Sequence, residues 1–455
     1  MQPTGALRGR RGSCNDDNAA MSPSDGDKPI GLGLLGLGVV GTGVAQTLAD
    51  RGDALAQRVG RPMQLRRVLV RDPLRPRSIV LPAGILTNEV ERILGDPGIT
   101  IVIEALGGEY PAVDFIRKAL AANKDVVTAN KEVMAKHGPE LRAWAARHGR
   151  ALRYEASVGG GVPIVAALRE DLAANRITSI RAIINGTTNY ILTEMAAGGL
   201  SFASALQQAQ ALGYAEPDPD DDIEGVDAAY KLAILASLAF QTTVRPEDIH
   251  REGISRLAPQ DFRYARELGY TIKLLAIAKE EGAAVQARVH PALVPRQSLL
   301  AQVSGVYNAV QIEGDLAGQL VLYGRGAGAE PTSSAVMADV IHLARDRALG
   351  IPNRPEPPPN GERPLMPFDD LKTRHYFRMA VADRPGVLAQ IARLFGEHEI
   401  SIASFIQQET DEDAQIAEIV IMTHAAQERA VQTALSFIGQ LAAVRDVGAV
   451  VRVER

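Results

Sequence analysis

Asp227 and Lys231 stand four residues apart, acid first, in a stretch with helical spacing, so both side chains leave one face of a helix. That spacing serves a surface ion pair, worth a few tenths of a kcal/mol. It also serves carbonyl reduction. An ammonium beside the carbonyl stabilises the negative charge that builds on its oxygen and then protonates it. The pair closes an acidic run, Glu216-Pro217-Asp218-Pro219-Asp220-Asp221-Asp222-Ile223-Glu224. Glu216 is of the right type to hold a substrate ammonium group. A calcium loop is the poorer reading, because the EF-hand's glycine at the sixth position and its closing glutamate are missing. Lys131 follows a short apolar strand, at the edge where open α/β sheets bind ligands, and joins the catalytic candidates. The bland alternative is an ordinary surface lysine after a strand, and position favours function.

A carbonyl reduction needs a hydride carrier, and Gly36-Leu37-Gly38-Val39-Val40-Gly41 supplies a cofactor turn. Gly31, Gly33 and Gly36 match the same spacing, but only the second set has a strand before it and a helix after it. In that set Gly36 makes the tight turn, Gly38 lets backbone approach a pyrophosphate, and Gly41 lets helix pack on strand. The ribose end is ambiguous. Arg71 favours the extra phosphate of NADP(H), and Asp72 favours the free hydroxyl of NAD(H). We expect NADP or dual use.

The elements that must position these groups fall into three blocks. Residues 29–155 alternate strands and helices, which predicts a doubly wound parallel sheet, a Rossmann-type cofactor domain. Its strands are expected at 30–35, 64–70, 100–104, 126–129 and 152–156, with helices at 111–123 and 132–148. Residues 156–351 read as an α+β domain. Helices are expected near 188–197, 202–212, 224–240, 264–281 and 333–349, with strands at 179–185 and 284–290. Residues 352–374 hold seven prolines and read as a linker. Fully extended, it would span roughly 70 Å and reach a neighbouring subunit. Residues 375–455 read βαββαβ, a ferredoxin-like domain.

Composition excludes several functions. The chain has 455 residues, 23% charged and 46% hydrophobic, with 49 Lys and Arg against 54 Asp and Glu. No basic surplus points to nucleic acid, and no apolar run approaches a membrane span. The single cysteine, Cys14, gives neither an intrachain disulfide nor a Cys metal cluster and fits a reducing compartment. A cytoplasmic location is expected. Residues 1–28 read as a disordered tail. Arg8, Arg10 and Arg11 are followed at once by Asp16 and Asp17, without an amphipathic or apolar targeting stretch. Translation from Met21 is an alternative that the intact mass of the native product would decide.

Taken together, the motifs resemble the homoserine dehydrogenase family over about residues 29–455. The likeness rests on six ordered segments. These are the 36–41 turn, Thr128-Ala129-Asn130-Lys131, Tyr154 through Pro163, Ile184 through Tyr190, Leu212-Gly213-Tyr214-Ala215-Glu216-Pro217-Asp218-Pro219 with Asp227 and Lys231, and Gly324-Arg325-Gly326-Ala327-Gly328. The resemblance implies NAD(P)H-dependent reduction of aspartate 4-semialdehyde to homoserine. It implies Lys231 as proton donor, Asp227 and Glu216 at homoserine, and Lys131 at nicotinamide and substrate. Gly213 and Gly328 join the cofactor set. A structural sodium ion is implied at Glu155, Val158, Gly160 and Val162. Residues 381–388 and 400–402 resemble an ACT domain, which implies feedback inhibition, with threonine as effector, or a dimerisation module that has lost its ligand. A monofunctional form without a kinase domain is expected, as a homodimer or homotetramer whose contact the middle domain supplies. Deleting 375–455 is expected to spare activity and abolish inhibition. Tyr230, beside the lysine, departs from the family pattern. Two rivals remain. A hydroxy-acid or prephenate dehydrogenase needs a catalytic histidine, and none of the histidines before the linker falls in such a motif. An amino-acid sensor would leave the Asp227–Lys231 pair without a task.

Overall fold

The computed structural model describes residues 28–353, 362–411 and 415–454. The expected tail through residue 27, with Cys14 and Met21, lies outside them.

The cofactor domain opens with β1 (Ile30–Leu35), whose six residues are all buried. α1 (Val39–Val59), β2 (Met63–Leu69), β3 (Leu86–Thr87) and α2 (Glu91–Leu94) follow. Then come β4 (Ile99–Glu104), α3 (Ala112–Ala121), β5 (Asp125–Thr128), α4 (Lys131–Arg147) and β6 (Leu152–Arg153). The sheet runs β3-β2-β1-β4-β5-β6, with every pairing parallel. A parallel sheet is covered on both faces, hence its near-continuous apolar strands. The expected strand at 152–156 stops at Arg153, because residues 155–157 form a single 3-10 turn.

The second block runs α5 (Ile164–Ala166), β7 (Ile177–Ile183), α6 (Gly186–Gly198), α7 (Phe202–Ala211), α8 (Asp220–Ile223) and α9 (Val226–Ala239). It continues with β8 (His250–Arg251), α10 (Pro259–Glu267), β9 (Tyr270–Glu281), β10 (Ala284–Pro295), β11 (Tyr307–Gly314), β12 (Gly318–Arg325) and α11 (Ala329–Ala348). α11 returns to the cofactor domain. Its Val336, Val340 and Leu343 pack with Leu32, Leu34, Ile101 and Ile103.

One expectation fails here. Residues 264–281 are not one helix. α10 ends at Glu267, Gly269 turns the chain at φ +85, and β9 begins at Tyr270. A short apolar run reads equally as buried helix or buried strand. Pairing decides: β9 lies between β7 and β10, in register with β10 from end to end.

The C-terminal block is β13 (Lys372–Ala382), α12 (Val387–Glu397), β14 (Ile402–Asp411), β15 (Ile416–Thr423), the two-residue β16 (Ala426–Gln427), α13 (Glu428–Ile438) and β17 (Val444–Val453). It does not float on a long tether. β17 pairs with β10 through Ala292↔Arg452 and Leu293↔Val453, so one sheet runs β12-β11-β7-β9-β10-β17-β13-β15-β14. The linker's second half is bound to the same chain. Arg363 N donates to Thr242 Oγ1 at 3.0 Å, Met366 N to the Val285 carbonyl at 2.9 Å, and Phe368 stacks on His250. The strand β13 begins inside the stretch expected to be linker, and residues 354–361 lie outside the described ones.

Buried charges seal this junction. Glu454 accepts from Lys279 at 2.8 Å and from Arg288, while Arg452 donates to Glu252 and Glu428, both at 2.5 Å. Both arginines are 1% exposed. Burial opposes ionisation of Glu454, but Arg288 and Lys279 outweigh it and hold its carboxyl at about 2. Burial and then the two arginines push His290 down to about 3, so its neutral ring accepts from Arg288 Nε at 3.0 Å.

Candidate active site

Lys231 leaves α9 one turn after Asp227. Its Nζ donates to Asp227 Oδ2 at 2.7 Å and to the Ile184 carbonyl at 2.8 Å. An ammonium has three N–H donors, so one remains for the cleft that Lys231 lines. Lys131 comes from a site 96 residues earlier in the chain and donates to Asp227 Oδ1. One carboxylate thus holds two lysines from two domains.

Asp227 is 2% exposed. Burial opposes its ionisation, yet the ammonium groups of Lys231 and Lys131 outweigh burial and keep its carboxyl well below the usual carboxylate range. For Lys131, burial pulls the pKa down, the Asp227 carboxylate pushes harder, and the net shift is upward. Asn185 completes the cluster. Its Oδ1 caps α6 by accepting from Thr188 N at 2.9 Å, while Nδ2 donates to Asp222 Oδ1 at 2.6 Å and Asp227 Oδ2 at 2.9 Å.

Each lysine is aimed by its own element. Lys131 is the first residue of α4, whose cap is Asn130. Asn130 Oδ1 accepts from Val133 N at 3.1 Å, and Nδ2 donates to the Gly108 carbonyl at 2.7 Å. Beneath it, Thr128 Oγ1 donates to Glu104 Oε2 at 2.5 Å and accepts from Asn130 N at 3.0 Å. Burial raises the pKa of Glu104, against hydrogen bonds from Thr128 and the Leu106 amide. The carboxyl ends of β4 and β5 are therefore tied together under Lys131.

The two lysines border a cavity of about 280 Å³ lined also by Gly107 and Gly108 of the cofactor domain and by Ser157, Gly160 and Gly326 of the second block. Asn308 backs that loop, 1% exposed, with neither amide atom hydrogen-bonded; a Cβ on Gly326 would collide with it. Such a cleft lies where open α/β sheets bind ligands.

The turn at residues 36–41 fits a dinucleotide. Gly36 has φ +96, a Cβ on Gly41 would strike the Gly36 carbonyl, and nothing stands within 4 Å of where a Gly38 Cβ would be. Gly38 begins α1 without a side-chain cap, so the first N–H groups face outward, and Val39 is 70% exposed beside them. Leu37 and Val40 pack beneath, against the sheet core. Arg71 is exposed just past β2, whose Leu69 carbonyl accepts from Gly36 N. Asp72 Oδ1 is engaged by Leu74 N at 2.9 Å.

The suggested cation loop is buried. Glu155 is 3% exposed and accepts from the amides of Val165 at 3.0 Å and Ala166 at 2.6 Å. Val162's carbonyl accepts from Ile164 N. Among the described residues, no hydrogen bond reaches the carbonyls of Val158 and Gly160, both buried. Carbonyls of a buried segment that take no protein donor suit a monovalent cation. No cluster of three His, Cys, Asp or Glu is present among the described residues, so this site would rest on carbonyls.

Other candidates lie apart. Glu216 is exposed in the loop before α8, and among the described residues no hydrogen bond joins its carboxylate to the lysines. Gly213 is exposed after α7 at φ +75, outside the residues lining the cavity. Gly328 precedes α11 at φ +117, two residues past Gly326. Sequence reasoning named neither Asn185 nor Asp222 as a site residue. The Asn185-Gly-Thr-Thr cap pattern was visible, but its second job needed the fold. Among the described residues, no helix is long and apolar enough to cross a membrane.

A family model described as homoserine dehydrogenase matches residues 163–341, its NAD-binding domain matches 36–155, and an ACT model matches 375–440. A homoserine dehydrogenase of Synechocystis sp. is 45% identical over 406 residues, 86% of this chain and 92% of that one. The crystal structure of a homoserine dehydrogenase from Thiobacillus denitrificans is 42% identical, with TM-score 0.88, covering 94% of this chain and 98% of that one. A hyperthermophilic archaeal homoserine dehydrogenase in complex with NADPH is 25% identical, with TM-score 0.60, over 71% of this chain and 99% of that one.

Proposed function

The chain belongs to the homoserine dehydrogenase family, and on that premise we propose that Lys231 is the proton donor in reduction of L-aspartate 4-semialdehyde to L-homoserine. The observation that carries this is the Lys231 ammonium, anchored by Asp227 and the Ile184 carbonyl with one N–H left for the cleft. The nicotinamide, when bound, supplies the hydride. Lys231 stabilises the negative charge building on the aldehyde oxygen and passes it a proton from Nζ. Asp227 keeps both lysines in place. Lys131 orients the substrate from the start of α4, and Glu216 is the carboxylate assigned to its ammonium group. Residues 36–41 hold the pyrophosphate, with Gly213 and Gly328 bordering the cofactor. Arg71 takes the 2′-phosphate.

The test is loss of nicotinamide absorbance with aspartate semialdehyde, using NADPH and NADH in turn. Turnover with neither would overturn the reading. Arg71→Ala should raise the KM for NADPH by about tenfold and leave that for NADH unchanged, as loss of one charge-assisted phosphate contact requires.

A sodium ion at Glu155, Val158, Gly160 and Val162 would tie the 155–166 segment to the cleft. Replacing sodium by tetramethylammonium should lower both the melting temperature and turnover. An unchanged melting temperature would remove the ion. The ACT domain makes threonine the expected feedback inhibitor of a cytoplasmic homodimer or homotetramer, and inhibition assays with size measurement in solution test both.

A further inference from the structure

Asn308 breaks the rule of its own strand. In β11 its neighbours Ala309, Val310 and Ile312 are buried and apolar. Asparagine suits neither a strand nor burial. Yet Asn308 is 1% exposed, and neither Nδ2 nor Oδ1 has a hydrogen-bond partner among the described residues. Burying an amide without partners destabilises a fold, and an apolar side chain of similar size avoids that loss. A local rule broken without structural gain marks a functional position.

The amide lies directly against Gly326, where a Cβ would collide with both Nδ2 and Oδ1. On the other side of the same loop, the Arg325 carbonyl accepts from Gly161 N at 3.0 Å, and the Gly326 carbonyl fills the space of a Gly160 Cβ. Loop 324–328 is thus held between Asn308 and residues 160–161, and its Gly326 and Ala327 line the lysine cleft. Glycines at 324, 326 and 328 leave its peptide groups free to turn. We propose that Asn308 is a positioning residue for the reaction. In the NADPH-bound enzyme its amide bonds the peptide groups that flank Gly326, Nδ2 donating to a carbonyl and Oδ1 accepting from an N–H, and so fixes the loop against the cleft. The inference rests on the cofactor reading above and adds a residue to it. The unpaired amide of the resting fold becomes binding energy that is realised only when the loop closes on the cofactor.

The test compares Asn308→Leu and Asn308→Ala with the wild type by melting temperature, with and without NADPH, and by steady-state kinetics. Alanine guards against overpacking by leucine. Without NADPH, neither variant should melt clearly below the wild type, because each removes two buried polar atoms that lack partners. NADPH should then raise their melting temperatures less, its dissociation constant being about tenfold higher, the loss of one to two neutral hydrogen bonds. The kcat/KM for NADPH should fall by a similar factor. NADPH binding unchanged in both variants would overturn the inference. So would a lower melting temperature in both without NADPH, which would show the amide already bonded in the resting fold. A wild type that binds NADPH but does not reduce aspartate semialdehyde would end the reaction assigned above, and the same binding data would still decide Asn308. A wild type that does not bind NADPH would end both.

Discussion

Replacing Lys231 by alanine is expected to lower kcat by roughly 10²–10⁴-fold, the usual worth of a positioned general acid, and to leave the KM for NADPH near wild type. The cofactor turn and Lys231 lie on different domains, so binding and chemistry separate. The change removes one of two donors from Asp227 Oδ2, which keeps Asn185, while Oδ1 keeps Lys131. The site therefore keeps its frame, and the loss falls on proton transfer. Lys231→Arg should fail as badly. A guanidinium keeps the charge but does not release a proton in proteins, and its planar fork does not reproduce the ammonium's hold on Asp227 and the Ile184 carbonyl. Steady-state kinetics on both variants checks this, and kcat within a few-fold of wild type for either would end the assignment.

Glu454→Ala is expected to cost about 3–5 kcal/mol, the range for removing one partner of a buried ion pair. Lys279 and Arg288 would be left facing each other, and Arg288 is 1% exposed. Thermal melting should show an earlier transition for Glu454→Ala and a smaller shift for Glu454→Gln, which keeps hydrogen-bonding capacity. Equal melting temperatures for all three proteins would show that the junction contributes nothing. The same geometry revises an expectation drawn from sequence. Cutting away residues 375–455 does not lift off an independent module. It strips β17 from β10 and leaves buried cations in the catalytic sheet without their carboxylate. The truncated chain should therefore fold poorly, and inhibition is better tested with point variants.

Much of the architecture was legible. Alternating apolar strands and helices around Gly36–Gly41 require a parallel sheet, and βαββαβ at the end requires its own small layer. The failure at 264–281 has a plain cause. Leu274 through Ala278 is a continuous apolar run, and a run buried on both faces carries no period to separate strand from helix. The linker misled in a different way. Proline content predicts extension but is silent about Thr242 and Val285, which bind its second half.

The sequence by itself determined what neighbours in the chain can determine. Asp227 and Lys231 share a helix face because they are four apart, and Gly36 turns because only glycine does so freely at positive φ. Tertiary structure decided the rest. Lys131 meets Asp227 from another domain, Asn185 turns from a helix cap into a brace, and the ACT strand joins the catalytic sheet. These contacts depend on distances between elements far apart in sequence, and packing sets those distances, not local conformational preference.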